Sequence, residues 1–222
     1  MGRCLIFCAG GFEKLALDIE KDDYILAADG GLAHVRKLGI KPNGILGDFD
    51  SLGYVPEDAQ VFPVEKDDTD SMLAVRKGLE LGYKEFILYG ALDGPRLDHT
   101  IANIQTLLFL ENHGARGTLV GLRYLITTVK DGTLQLPKAQ SGIVSVFCLG
   151  EAAEGVSIRG LQYELEEGTL ESGFPLGVSN HFVGKDASIS VKHGTLVVMY
   201  DVERMAPESQ GFSRGEAVSA AD

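Results

Sequence analysis

The segment Gly47-Asp48-Phe49-Asp50-Ser51 sets two carboxylates one residue apart between a glycine and a serine, directly after the apolar run Gly44-Ile45-Leu46. Paired carboxylates in a tight loop suit a hard divalent cation such as Mg2+, which takes oxygen ligands, keeps several waters and bridges one or two carboxylates to phosphates. More acidic groups follow other apolar runs: Asp29 in ADGG, Asp67, Asp68 and Asp70 in DDTDS, and Asp93 and Asp98 in GALDGPRLDHT. Each has a plain structural reading as well. Asp29 beside two glycines suits a turn, Thr69 or Asp70 suits the cap of one helix, and Asp98 suits the cap of another. Gathered in one place, such groups raise one another's pKa and lower stability unless a cation is bound.

Cationic partners are few. Arg96 stands in a glycine-rich loop that opens a helix, where backbone N–H groups and the positive end of the helix dipole favour phosphate oxygens. Lys66, just before Asp67, is a second candidate for the same contact. His99 and Asn103 lie one turn apart on the following helix and so share a side, either towards the same crevice or towards buried backbone groups. The GxxxxGK[ST], GxGxxG and HExxH patterns are missing from the sequence, which removes the common nucleotide loops and zinc sites at motif level, and GxSxG occurs only as GFSRG in the weakly apolar stretch at the end, outside the strand-to-helix setting a serine nucleophile needs.

Composition narrows the partners. Twenty basic residues against 32 acidic ones give a net charge of −12, which argues against nucleic acid and anionic membranes and for a small substrate. An anionic substrate would need a divalent metal between it and this protein. Three cysteines, Cys4, Cys8 and Cys148, have neither CxxC spacing nor a histidine pair beside them, so a reducing cytoplasm is expected. The apolar opening of the chain is too short for a secretory leader, and no run reaches membrane-spanning length.

The elements that must position these residues come in two kinds. Over the first half, the short apolar runs RCLIFC, YILAA, GIL, QVFPV, EFILYG and GTLVG alternate with helix-period segments, the signature of βαβ units on a mainly parallel sheet. Met72, Val75 and Leu79 are expected to form the buried face of one helix, and Ile101, Ile104 and Leu108 that of the next, with Gly82 and Gly114 ending them. Beyond Tyr124 the chain reads as short strands with glycine turns, an all-β antiparallel sandwich or barrel: YLITTV, TLQL, GIVSVFCL, GVSIRG, LQYELE, TLES, HFVG, ASISVKHG and TLVVMYD. The expected division is an α/β catalytic domain over 1–130, a β-sandwich over 131–202 and a tail over 203–222. Every acidic cluster follows a strand of the parallel sheet, and ligands of such sheets bind outside the carboxyl ends of the strands, so the clusters are expected to converge.

Taken in order, ADGG at Ala28–Gly31, GDFDS at Gly47–Ser51, DDTDS at Asp67–Ser71, GALDGPRLDHTIANI at Gly90–Ile104, then PLGVSNHFVG and ASISVKHGTLVVM, the chain resembles the thiamine pyrophosphokinases in their compact bacterial form. The resemblance spans most of residues 1–200. It implies an ATP- and Mg2+-binding α/β domain and a β-sandwich that helps bind thiamine, in a homodimer with composite active sites. The reaction it implies turns ATP and thiamine into AMP and thiamine diphosphate. On the family pattern Asp48, Asp50 and Asp70 are metal or metal-water ligands with Asp29 close by. Arg96, Asp98 and Asn103 are nucleotide and substrate contacts, and Ser179 and Asn180 match the thiamine-side loop. Where the family often has two glycines before the arginine, this chain has Gly94-Pro95, so no phosphate contact can come from an amide at Pro95. Two other readings of the same residues are a metal-dependent nucleotide-sugar transferase of the D-x-D type and a sensor that binds thiamine or a nucleotide without turnover.

Overall fold

The computed structural model describes residues 2–49, 53–63, 67–136 and 138–201, so Asp50, Lys66 and the expected tail lie outside the described residues. The chain divides into two compact units, Met1–Leu125 and Ile126–Asp222.

In the first unit the apolar runs become β1 (Cys4–Phe7), β2 (Tyr24–Ala28), β3 (Gly44–Gly47), β4 (Ala59–Val61), β5 (Glu85–Tyr89) and β6 (Arg116–Val120). Between them lie α1 (Gly31–Lys37), α2 (Asp70–Glu80) and α3 (Leu97–Asn112), and a 3-10 turn at Lys14–Ala16 that sequence pattern did not signal. The strands stand in the order β6-β5-β1-β2-β3-β4, and every neighbouring pair is parallel. The chain thus builds outwards from β1 to β4 and then returns to the other side of β1. That reversal is where an open parallel sheet leaves a crevice at the carboxyl ends of its strands. All four residues of β1 are wholly buried, as a central strand covered on both faces must be.

The helices end as expected. Gly82 and Gly114 take φ of 90° and 63°, and the next amides, Tyr83 and Ala115, donate back to the carbonyls of Gly78 and Leu110. Their buried faces differ from expectation. In α2 the buried residues are Ser71, Ala74, Val75 and Gly78, while Met72 and Leu79 are only half-buried. The reason is close approach: a Cβ on Gly78 would lie 2.5 Å from Phe86 Cε1 and 2.9 Å from Cys4 Sγ. Small side chains make the contact with the sheet, and the large ones flank it. In α3 the buried residues are Asn103, Thr106, Leu107 and Leu110, whereas Ile101 is 54% exposed. Leu107 and Leu110 seat on Gly117 of β6, where a Cβ would come within 2.7 Å of either leucine.

Among its described residues the second unit is all β: it begins within β7 (Tyr124–Lys130) and continues with β8 (Thr133–Leu136), β9 (Ile143–Cys148), β10 (Ala152–Arg159), β11 (Leu165–Glu171), β12 (Asn180–His181), β13 (Ala187–Ser190) and β14 (Thr195–Asp201). One group of adjacent strands runs β12-β9-β14-β7 and the other runs β11-β10-β13-β8, with antiparallel pairing at β12–β9, β9–β14 and throughout the second group. Val144, Val146 and Val198 from one group and Val156, Ile158, Leu170 and Ile189 from the other are buried, the inward rows of a sandwich. The segments LQYELE and TLES, expected as two strands, give the single strand β11, which bulges at Glu167 with φ 50°. The fold class read from the sequence therefore stands, an α/β unit followed by an antiparallel β unit. None of the described helices is long and apolar enough to cross a membrane.

Candidate active site

The turn after β2 carries Asp29 in a left-handed conformation, φ 45°, and two glycines follow it. Gly31 is there for space: a Cβ on it would lie 1.8 Å from the carbonyl oxygen of Phe7, so α1 can start against the end of β1 only without a side chain. β3 ends on Gly47 at φ 152°, and the loop after it places Asp48, then folds the ring of Phe49 inward at φ 59° and 3% exposure. Phe49 is not among the site residues expected from the sequence, yet an aromatic between two aspartates is the sign in the sequence that the loop is anchored from inside. After β4, Thr69 caps α2 by accepting the amide of Met72 at 3.2 Å. Asp70 is consequently the first helical residue and not the cap.

These three loops bring one carboxylate oxygen each of Asp29, Asp48 and Asp70 within 4.8 Å of one another, with all three residues half-buried. An octahedral Mg2+ with oxygens at about 2.0–2.1 Å holds ligands no farther apart than about 4.2 Å, so the group needs little adjustment to share one ion. Oδ1 of Asp29 and Oδ1 of Asp70 are shielded from solvent. Carboxylates held this close and this dry are what a hard cation stabilises, so the donor set fits a Mg2+-like ion. Asp70 reaches further: burial, and next the charge of Asp70, push the Cys8 thiol up to about 12, which keeps it protonated and outside the chemistry.

Not every acidic group joins. Asp93 accepts the Leu122 amide at 2.6 Å and fixes the loop after β5. Asp68 pairs with Arg76 at 2.9 Å, and Asp67 is exposed. Convergence thus holds for the loops after β2, β3 and β4, while Asp68 serves an ion pair and Asp93 loop geometry. Asp98 is paired with Arg96, Nη2 to Oδ2 at 2.5 Å and Nε to Oδ1 at 3.2 Å, and both side chains are exposed. The hydrogen bond from Arg96 holds the Asp98 carboxyl below its ordinary value. Arg96 is the residue that precedes α3, Asp98 lies in its first turn, and His99 is exposed beside it. Asn103 is buried: its Oδ1 accepts from Ser71 Oγ at 2.7 Å and its Nδ2 donates to the Ala91 carbonyl at 2.8 Å.

In the second unit, Ser179 is exposed at φ 63°, and its amide donates to Ser145 Oγ at 3.1 Å. Asn180 is buried, donates to the Tyr163 carbonyl at 2.6 Å and accepts the amides of Tyr163 and His181. It is the clamp that holds the loop on which Ser179 is displayed.

Two family models match the chain in sequence: the thiamin pyrophosphokinase catalytic domain over residues 15–118, and the thiamin pyrophosphokinase vitamin B1 binding domain over residues 132–196. The chain belongs to the thiamin pyrophosphokinase family. Solved structures with the same fold include a thiamine pyrophosphokinase from Bacillus subtilis, 22% identical over 90% of this chain and 98% of that one with a TM-score of 0.77. Another is a thiamin pyrophosphokinase family protein from Enterococcus faecalis, 25% identical over 90% of this chain and 99% of that one, at 0.74. Yeast thiamin pyrophosphokinase, 16% identical over 92% of this chain and 88% of that one, superposes at 0.69. No curated protein matches the chain in sequence.

Proposed function

We propose that the Asp29–Asp48–Asp70 group is the metal centre at which this chain transfers diphosphate from ATP to the hydroxyl of thiamine. Family membership makes the chain a thiamine diphosphokinase, and the observation that carries the site assignment is the meeting of three carboxylate oxygens within 4.8 Å. Asp50, on the same loop as Asp48, is proposed as a further ligand. Mg2+ bound there would link the carboxylates to phosphate oxygens and offset both charges.

The chain's own residues do the rest by positioning. Arg96, exposed in front of α3, meets phosphate oxygens through its planar guanidinium, with Lys66 as a second cation and His99 and Asn103 on the nucleotide side. Asp98 orients the thiamine hydroxyl. That oxygen attacks the β-phosphorus in line and gives up its proton to solvent, the bond from the β-phosphorus to the oxygen it shares with the α-phosphorus breaks, and AMP leaves with that oxygen, so no covalent enzyme intermediate is required. Ser179 and Asn180 present the thiamine-side loop. Release of AMP from ATP, measured with ATP, Mg2+ and thiamine omitted in turn, tests the reaction. AMP release without thiamine, or release of a nucleoside diphosphate from a nucleotide sugar, would overturn it. Neither the sugar transferase nor the sensor reading gains support from the family match.

The proposal extends to a cytoplasmic homodimer with composite sites. Cys4, Cys8 and Cys148 are all free thiols, in keeping with a reducing compartment. Leu97 and Ile101 are exposed beside Arg96 and Asp98, and Phe174, Leu176 and Val178 are exposed just before Ser179. Such apolar surface beside polar groups suits a partner subunit. Mixing inactive Asp48→Asn chains with inactive Ser179/Asn180 double variants should restore some activity after subunit exchange. Failure to do so, with exchange confirmed, places each site within one chain.

A further inference from the structure

The residues on either side of Asp70 are joined by a directional run of hydrogen bonds that ends in the next loop of the sheet edge. The Ala91 carbonyl can only accept, so the Asn103 amide must turn Nδ2 towards it, at 2.8 Å, and Oδ1 towards Ser71. Ser71 must then donate its hydroxyl proton to Asn103 Oδ1, at 2.7 Å. With that proton committed, the 3.0 Å contact between the hydroxyls of Thr69 and Ser71 has Thr69 as donor. Thr69 Oγ1 in turn accepts the Met72 amide at 3.2 Å. Every donor and acceptor in the run has one role, and Ser71, Ala91 and Asn103 are all buried, where such bonds are stronger and broken ones cost more.

We infer that Ser71 and Asn103 are positioning residues for Asp70: they fix the first turn of α2 to the backbone that follows β5 and so hold the Asp70 carboxylate at the distance a shared cation needs. The inference rests on the proposed metal centre. Asn103 acts on Asp70 through Ser71 and Ala91, and its one buried amide ties the turn that supplies Asp70 to the loop that runs from β5 to Arg96. The sequence signal was the serine of DDTDS, whose hydroxyl has no part in the cap that Thr69 already provides.

The test is direct Mn2+ binding to the full chain by calorimetry or electron paramagnetic resonance, without turnover. Ser71→Ala should weaken Mn2+ binding by about ten- to a hundredfold, the range for loss of a group that orients a metal ligand. Ser71→Thr should bind like wild type, and Ser71→Cys, nearly the same size but a weak donor, should fall between and remain folded. In an Asp70→Asn background Ser71→Ala should have no further effect on binding, because the ligand it positions is already altered. Wild-type affinity in Ser71→Ala, or the same fold loss in both backgrounds, overturns the positioning role and leaves the metal centre standing. Unchanged binding in Asp48→Asn removes the metal centre itself, and the positioning role with it.

Discussion

The backbone N–H of Asp29 donates to the carbonyl of Leu46 at 2.8 Å, which joins the turn after β2 to the end of β3. The neighbouring residue, Gly47, sits at φ 152°, and a Cβ there would lie 3.0 Å from Asp29 Cα and 3.1 Å from Asp29 N. The two carboxylate loops therefore meet through backbone, and a side chain at Gly47 would drive them apart. Gly47→Ala should cost about 1–3 kcal/mol from backbone strain alone and weaken Mn2+ binding as well. Thermal midpoints without metal, beside Mn2+ titrations, check this; an unchanged pair of values would mean the loops do not need this contact.

Asp48→Asn keeps shape and removes one negative charge, so it separates electrostatics from packing. Turnover should fall at least about a hundredfold, on the scale of losing one group that stabilises transition-state charge. Metal-free stability should equal or slightly exceed that of wild type, because repulsion within the trio is relieved. Asp70→Asn should fall equally in turnover, yet gain less stability, since Asp70 is in the first turn of α2 and its charge there is worth about 0.3–1 kcal/mol. Normal turnover in both variants would remove the metal site.

The contrast between α2 and GDFDS shows what was legible in the sequence. Strand and helix placement followed from hydrophobic period and glycine punctuation, and the aspartates of β2, β3 and β4 loops met because topology forces carboxyl ends to one edge. Side-chain size does not mark the buried faces of the helices. Met72 and Leu79 are large but flank the contact, whereas Gly78 and Ala74 make it, since the helix lies within reach of Phe86 and Cys4. Asn103 and Thr106 were likewise hidden by polarity: Thr106 returns its hydroxyl to the Ala102 carbonyl at 2.9 Å, and Asn103 is satisfied across three elements. Pairwise partners of this kind depend on distances that no local pattern contains. Asp93 and Asp98 illustrate the same point in the site, one taken by the Leu122 amide and the other by Arg96.

At the start of β1, Arg3 binds Asp23 through Nη2 at 2.7 Å and Nε at 3.1 Å, and Asp18 through Nη1 at 2.9 Å. Burial pushes the Asp23 carboxyl up, but the Arg3 guanidinium together with the Glu20 and Arg3 amides holds it below its ordinary value. A depressed folded pKa means the stabilisation is complete above the unfolded value, about 3.9, and is lost as pH falls through the lower folded value. Asp23→Asn should cost about 3 kcal/mol at pH 7, because it leaves Arg3 with a weaker partner in a largely buried place. It should also flatten the loss of stability below pH 4. Urea midpoints from pH 7 to pH 2 check both; a variant with the same acid loss as wild type would show that other carboxyls govern it.

Arg96 and Asp98 make the sharpest test of catalysis by pH. The hydrogen bond from Arg96, and to a smaller extent its charge, keeps Asp98 ionised below the ordinary carboxylate range. If Asp98 orients the thiamine hydroxyl as a carboxylate, the acid limb of kcat/KM reports its protonation in the free enzyme and lies correspondingly low. Arg96→Gln removes the fork, lets the Asp98 pKa rise towards its ordinary value and so moves the acid limb to higher pH, in addition to lowering the plateau through the lost phosphate contact. Because the pair is exposed, added salt should move the wild-type limb the same way and leave that of Arg96→Gln where it is. Profiles normalised to their plateaus separate the two effects. An acid limb that stays in place in Arg96→Gln, at low and high salt alike, would mean that Asp98 is not the group whose ionisation the reaction follows, and would return that role to the carboxylates after β2, β3 and β4.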